Sequence, residues 1–178
     1  SKNDLNNRGQ RSALLGLTSR VLPVWKWIGL LARLVVGGVW LWAGLVKLPH
    51  PEASVTAVRA YQLLPLDVVP VVGRALPIVE VLIGAMLILG VLSRFSGLLS
   101  ALLQLAFVIG IASVWWRGIA IECGCFGDGG AVAWEKARAQ YPWEIARDLG
   151  LFLLSAYLVW RPRTPYSLDN VLFPESKG

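Results

Sequence analysis

The chain has 178 residues, 56% hydrophobic and 16% charged, with a net charge of +6 and a mean hydropathy of +0.59. Soluble domains carry nearer about a quarter charged residues, so this composition excludes an ordinary soluble globule and leaves an integral membrane protein of one domain and a few spans. Nucleic acid is excluded as a partner: Arg8, Arg11, Arg20 and Lys26 precede the first apolar run and Arg161 and Arg163 follow the last, a positive-inside distribution and not a phosphate-binding stripe.

Ser1 to Gln10 is polar and no small-residue cleavage site follows a short apolar core, so no cleavable signal peptide is predicted. Residues 1–26 are expected to be a cytoplasmic N-terminal tail. A bilayer core needs about 20 apolar residues per helix, and four stretches reach that length: about Trp27 to Leu48, Val69 to Leu92, Phe95 to Trp116 and Trp143 to Trp160. The sequence therefore predicts an all-α polytopic membrane protein, a four-transmembrane-helix bundle over residues 27–160, with a cytoplasmic tail over 161–178. Tryptophans at several span ends fit interfacial belts. Spans two and three, joined only by Leu92 to Phe95, should form an antiparallel hairpin. Small residues four apart in the third run, Gly97 with Ala101 and Ala106 with Gly110, should allow close helix approach. The charged stretch Trp134 to Trp143 is helix-compatible and is expected on the outer surface, with Pro142 starting the last span.

The chain's two cysteines, Cys123 and Cys125, flank one glycine in the loop before that stretch. Positive-inside orientation puts the loop outside the membrane, where disulfides persist. A disulfide between residues two apart needs a bend, which Gly124 permits, and so small a ring is strained and easily reduced. Two free thiols in a turn, or half of a metal site, are the alternative readings. With one histidine and no second cysteine pair, neither a tetrahedral metal site nor an iron–sulfur cluster is completed, and haem lacks its ligands, so no metal is expected.

Ionisable residues within spans are expensive and usually functional. Glu80 follows Pro77; with Pro77 in the first turn of the second span, Glu80 sits about one turn below the outer surface. Lys47 ends the first run on the same side, and a Lys47–Glu80 ion pair near the cysteine loop is predicted, with snorkelling of Lys47 as the alternative. An ammonium near a thiol favours the thiolate and a buried carboxylate can shuttle a proton, so Cys123, Cys125, Glu80 and Lys47 are the candidate catalytic residues. Arg33 reads equally as an anchor reaching cytoplasmic headgroups and as a site residue. His50 reads as a solvated loop residue, and Trp115 and Trp116 as interfacial, with quinone stacking as the alternative.

The stretches RLVVGGVWLWAGLVKL (Arg33 to Leu48), YQLLP (Tyr61 to Pro65), LPIVE (Leu76 to Glu80) and CGCFG (Cys123 to Gly127) together resemble the MauE branch of the DoxX-like membrane proteins. The positions matching the family pattern are Arg33, Gly44, Lys47, Pro65, Pro77, Glu80, Cys123, Cys125 and Gly127; only the two cysteines carry over as redox residues. The resemblance implies a four-helix subunit of the bacterial plasma membrane serving an extracytoplasmic thioredoxin-like partner, in the setting of methylamine utilisation or another one. The leading expectation is thiol–disulfide exchange through Cys123 and Cys125. A single cysteine pair cannot carry electrons across the bilayer, so a second protein or a lipid quinone must reset it, with Glu80, Lys47 and nearby tryptophans lining the quinone site. The alternative is a non-catalytic subunit that anchors or assembles a larger membrane complex. Solute transport is disfavoured because the spans show neither duplicated halves nor broken helices.

Overall fold

Apolar runs separated by proline, glycine and charge fold into long helices. The computed structural model describes residues 2–124, 130–161, 164 and 167–172, with side chains from residue 24 onward and at residues 6, 9 and 10. In chain order these form α1 (Lys2–Lys47), α2 (Pro51–Ala60), α3 (Val69–Leu89), α4 (Ser93–Arg117), a hairpin of β1 (Ile121–Glu122) and β2 (Gly130–Ala131), α5 (Trp134–Trp160) and α6 (Asp169–Leu172). Among the described residues three helical stretches are long and apolar enough to cross a membrane: Val24–Lys47, Val69–Leu89 and Ser93–Arg117. At 1.5 Å rise per residue the shortest, α3, spans about 32 Å, enough for the hydrocarbon core. α5 is longer still, 27 residues, but Glu144, Arg147 and Asp148 set it apart from the three apolar helices. The protein is a helical, multi-pass membrane protein.

Three boundaries differ from the sequence expectation. α1 runs back to Lys2, through the stretch expected to be a tail. α3 starts at Val69 with Pro70 in its first turn, which leaves Pro77 inside the helix. Glu80 therefore lies about 16 Å along the axis at 1.5 Å per residue, near mid-helix and not one turn from the surface. α5 is continuous through Pro142, so the charged stretch and the last apolar run are one helix.

The packing pairs α1 with α3 and α4 with α5. α3 buries Gly73, Pro77, Glu80, Gly84 and Leu87, a stripe of three- and four-residue steps on one helix face. α1 answers with Val36, Gly37, Trp40, Gly44 and Lys47. At the crossing a Cβ on Gly84 would stand 2.6 Å from Leu41 N and 2.8 Å from Gly37 O, so glycine is required for backbones this close. In α4, Gly97 and Ala101 are buried, Gly97 against Ser155 and Leu158 of α5, and Gly110 is buried against Tyr61, whereas Ala106 is exposed. The turn between α3 and α4 is tight, with Gly90 and Leu92 both at positive φ, yet these two helices touch little along their length. A polar chain joins the two pairs: Trp40 Nε1 donates to Ser100 Oγ at 2.6 Å, and Ser100 and Ser155 hydroxyls lie 2.8 Å apart.

At the α3–α4 end the chain after α5 returns to the bundle. Arg33 is 1% exposed and donates to Thr164 Oγ1, so it is enclosed and does not reach out to headgroups. Asp169 accepts from the backbone N–H groups of Leu92 at 2.7 Å and Ser93 at 2.8 Å, capping α4 where no side chain of its own does so.

Candidate functional site

The opposite end gathers Lys47, α2, the β-hairpin and the start of α5. Pro51 opens α2 in the first helical turn, where its missing N–H costs nothing, and the helix lies across α3. Tyr141 is fully buried and pins the strand that leads into the cysteines: its hydroxyl donates to Ile119 O at 2.6 Å and accepts from Ile121 N–H at 3.0 Å. Tyr61, just past α2, donates through its hydroxyl to Cys123 O at 2.9 Å. Gly124 takes φ +73°, the left-handed bend that the sequence reading asked of it. Cys125 and the rest of the CGCFG motif, residues 125–129, lie outside the described residues.

Cys123 is half-buried. Arg147 Nη2 approaches its sulfur at 3.9 Å, and the Glu144 carboxyl group interacts with it electrostatically. Both come from α5, three residues apart and hence on one helix face. Neither was singled out by sequence reading. The signal was present, since Glu144, Arg147 and Asp148 are charges in an otherwise apolar run.

Lys47 and Glu80 form the expected ion pair. Lys47 Nζ donates to both Glu80 oxygens, at 2.8 and 3.1 Å, with the side chains 6% and 0% exposed. Trp40, Gln104, Phe107, Arg147 and Asp148 close around Glu80. Asp148 accepts from Arg147 Nε at 3.0 Å and interacts electrostatically with Lys47. The Lys47–Glu80 pair and the Arg147–Asp148 pair therefore form one buried charge cluster, with Cys123 at its rim. Gln104 Oε1, Glu144 Oε2 and Asp148 Oδ2 are buried without a hydrogen-bond partner among the described residues, each a cost of about 1–3 kcal/mol. These three acceptors lie at the end of the bundle that carries Cys123.

Beside the cluster lies a cavity of about 270 Å³ between α2, α3 and α4, with Lys47, Tyr61, Phe107, Cys123 and Gly124 in its wall. Its aromatic lining is Tyr61 and Phe107. Trp115 stacks obliquely on Tyr141 and Trp116 is 92% exposed, so neither lines the cavity. His50 is exposed and makes no side-chain cap on α2. No cluster of three metal-ligating side chains occurs among the described residues.

A family model described as Methylamine utilisation protein MauE matches residues 25–161, from the start of the apolar part of α1 to the end of α5. No curated protein and no solved structure matches the chain.

Proposed function

The chain belongs to the MauE family, and on that footing we propose that it is a membrane thiol–disulfide exchange protein acting through Cys123 and Cys125 on an extracytoplasmic thioredoxin-like partner. In this reading α5 is the fourth span, both termini are cytoplasmic and the cysteine loop faces outward in the plasma membrane. The family description points to methylamine utilisation as the process served. Lys47 and Glu80 hold the charge cluster behind the sulfur, while Arg147 and Glu144 act on the sulfur itself.

The exchange runs in two displacements. A thiolate of the partner attacks the Cys123 sulfur of the Cys123–Cys125 disulfide; the new intermolecular S–S bond forms as Cys125 leaves as thiolate. The partner's second thiolate then displaces Cys123, closing the partner's disulfide. Two electrons reach this chain, and both partner cysteines are oxidised. Thiolates are the attacking and leaving species, and the guanidinium of Arg147 stabilises the one that forms on Cys123, after which Glu144 delivers its proton.

The observation that carries the reading is the Arg147 guanidinium 3.9 Å from Cys123 Sγ, with the Glu144 carboxyl group acting on the same thiol, in a chain otherwise poor in charge. The test is capture of a mixed disulfide in native membranes with a thioredoxin-fold partner lacking its resolving cysteine. Capture should occur with the wild type and vanish in Cys123→Ser. Capture that persists in a variant lacking both cysteines refutes the reading. Full physiological function of that variant would favour a scaffold role.

A further inference from the structure

We propose that the cavity beside Cys123 binds the ring of a lipid-soluble quinone, which resets the cysteine pair; this rests on the thiol-exchange reading above. The cavity measures about 270 Å³, just under the roughly 300 Å³ at which pockets for drug-sized molecules begin. It therefore admits one ring and excludes a folded peptide. Its wall is largely apolar, with Phe107 and Tyr61 as the aromatic groups, and its polar side chains besides the Tyr61 hydroxyl are those of Ser54, Cys123 and Lys47. The Lys47 ammonium has three N–H donors and gives two hydrogen bonds to the Glu80 oxygens. Asp148 acts on it electrostatically, but no third hydrogen bond from it occurs among the described residues, which leaves one donor for a ligand. A ligand carbonyl oxygen satisfies it.

The mouth points to the same class of ligand. Leu63 and Leu64 line the cavity and are also 51% and 41% exposed. They belong to the linker between α2 and α3, exposed from residue 62 to 68 and bearing Leu66 and Val68 as further uncovered apolar side chains. Apolar groups uncovered at the head of a membrane bundle meet acyl chains. A molecule entering here comes from the bilayer, is flat and apolar, and presents an acceptor oxygen to an ammonium within a cavity shared with a thiol. A quinone meets each condition and also accepts the electron pair that one cysteine pair cannot pass onward by thiol exchange. The step balances: the S–S bond between Cys123 and Cys125 forms as both S–H bonds break, and two electrons and two protons convert the quinone to the quinol. Arg147 and Glu144 serve the sulfur side of this step and Lys47 the oxygen side.

The experiment uses the full chain in lipid nanodiscs, reduced and freed of excess reductant, with a short-tailed ubiquinone as the probe. Quinone binding is read by quenching of tryptophan fluorescence and quinol formation by loss of quinone absorbance. The wild type should bind saturably and form one quinol per protein. Cys123→Ser should form no quinol. Ala106→Trp, which fills the cavity from its exposed wall, should weaken binding at least tenfold while mixed-disulfide capture of the partner persists. Wild-type protein that captures the partner but neither binds quinone saturably nor reduces it overturns this inference and leaves the exchange reading standing. Equal binding by the wild type and Ala106→Trp shows partitioning into lipid only and also overturns it. Quinone binding without partner capture sinks the exchange reading instead, and the cavity is then a quinone site serving another process.

Discussion

Removing Lys47 should be among the most damaging single changes in the membrane domain, because it strands Glu80. At the observed 2.8 Å and an effective dielectric of about 20, Coulomb attraction is about 6 kcal/mol, most of it offset by desolvation of the two groups. Deleting one partner keeps the desolvation and loses the attraction, a net cost of about 3–5 kcal/mol, whereas replacing both by apolar residues of similar volume is close to neutral. Lys47→Met should therefore destabilise strongly, and Lys47→Met combined with Glu80→Leu should recover most of the loss. Thermal unfolding in one detergent, followed by circular dichroism, is the assay. For a chain of this size each kcal/mol moves the midpoint by roughly 2–4 °C, so the single variant should fall by roughly 6–20 °C. A single variant with unchanged midpoint would show that the pair is not buried as described. A double variant as unstable as the single would show that the lysine acts through packing and not through its partner's charge.

The crossing of α1 and α3 gives a steric test: Gly84→Val drives a side chain into the α1 backbone and should cost at least the about 1–3 kcal/mol of an overpacked core. Gly38→Ala, with open space around its Cβ, should be neutral or stabilising by up to about 1 kcal/mol, and equal effects of the two would contradict the close approach. Asp169→Ala removes both acceptors for the first N–H groups of α4 and should lose about 0.5–2 kcal/mol, read as faster amide hydrogen exchange at Leu92 and Ser93 with exchange at Cys123 unaltered. Arg147→Gln should slow alkylation of reduced Cys123 by an impermeant maleimide severalfold at neutral pH, and Arg147→Lys should restore part of the rate; identical rates in all three proteins would remove the guanidinium from any role at the sulfur.

Much of this protein was legible along the chain. Runs of about 20 apolar residues bounded by arginine, proline and tryptophan determine the class and the apolar helices, because insertion depends on local hydropathy. Cys-Gly-Cys marked the loop beside the candidate site, and the charges of Lys47 and Glu80 stood out against apolar neighbours, enough to pair them. The depth of Glu80 was misjudged, though not that of Lys47 at the end of α1, because two prolines lie near the start of α3 and only the folded helix shows that Pro70, not Pro77, occupies its first turn. The fold alone decided what meets what. Glu144 and Arg147 lie about twenty residues beyond Cys123 on a different element, and reach its sulfur only because Tyr141 fixes the β-hairpin against α5. The pairing of α1 with α3 follows from Gly37 and Gly84 coming face to face, a coincidence of rotation about two helix axes that no single run encodes. Hydrophobicity acts residue by residue and is written in order along a chain. A charge cluster or a cavity is a property of the space between helices, and exists only once their rotations and depths are set.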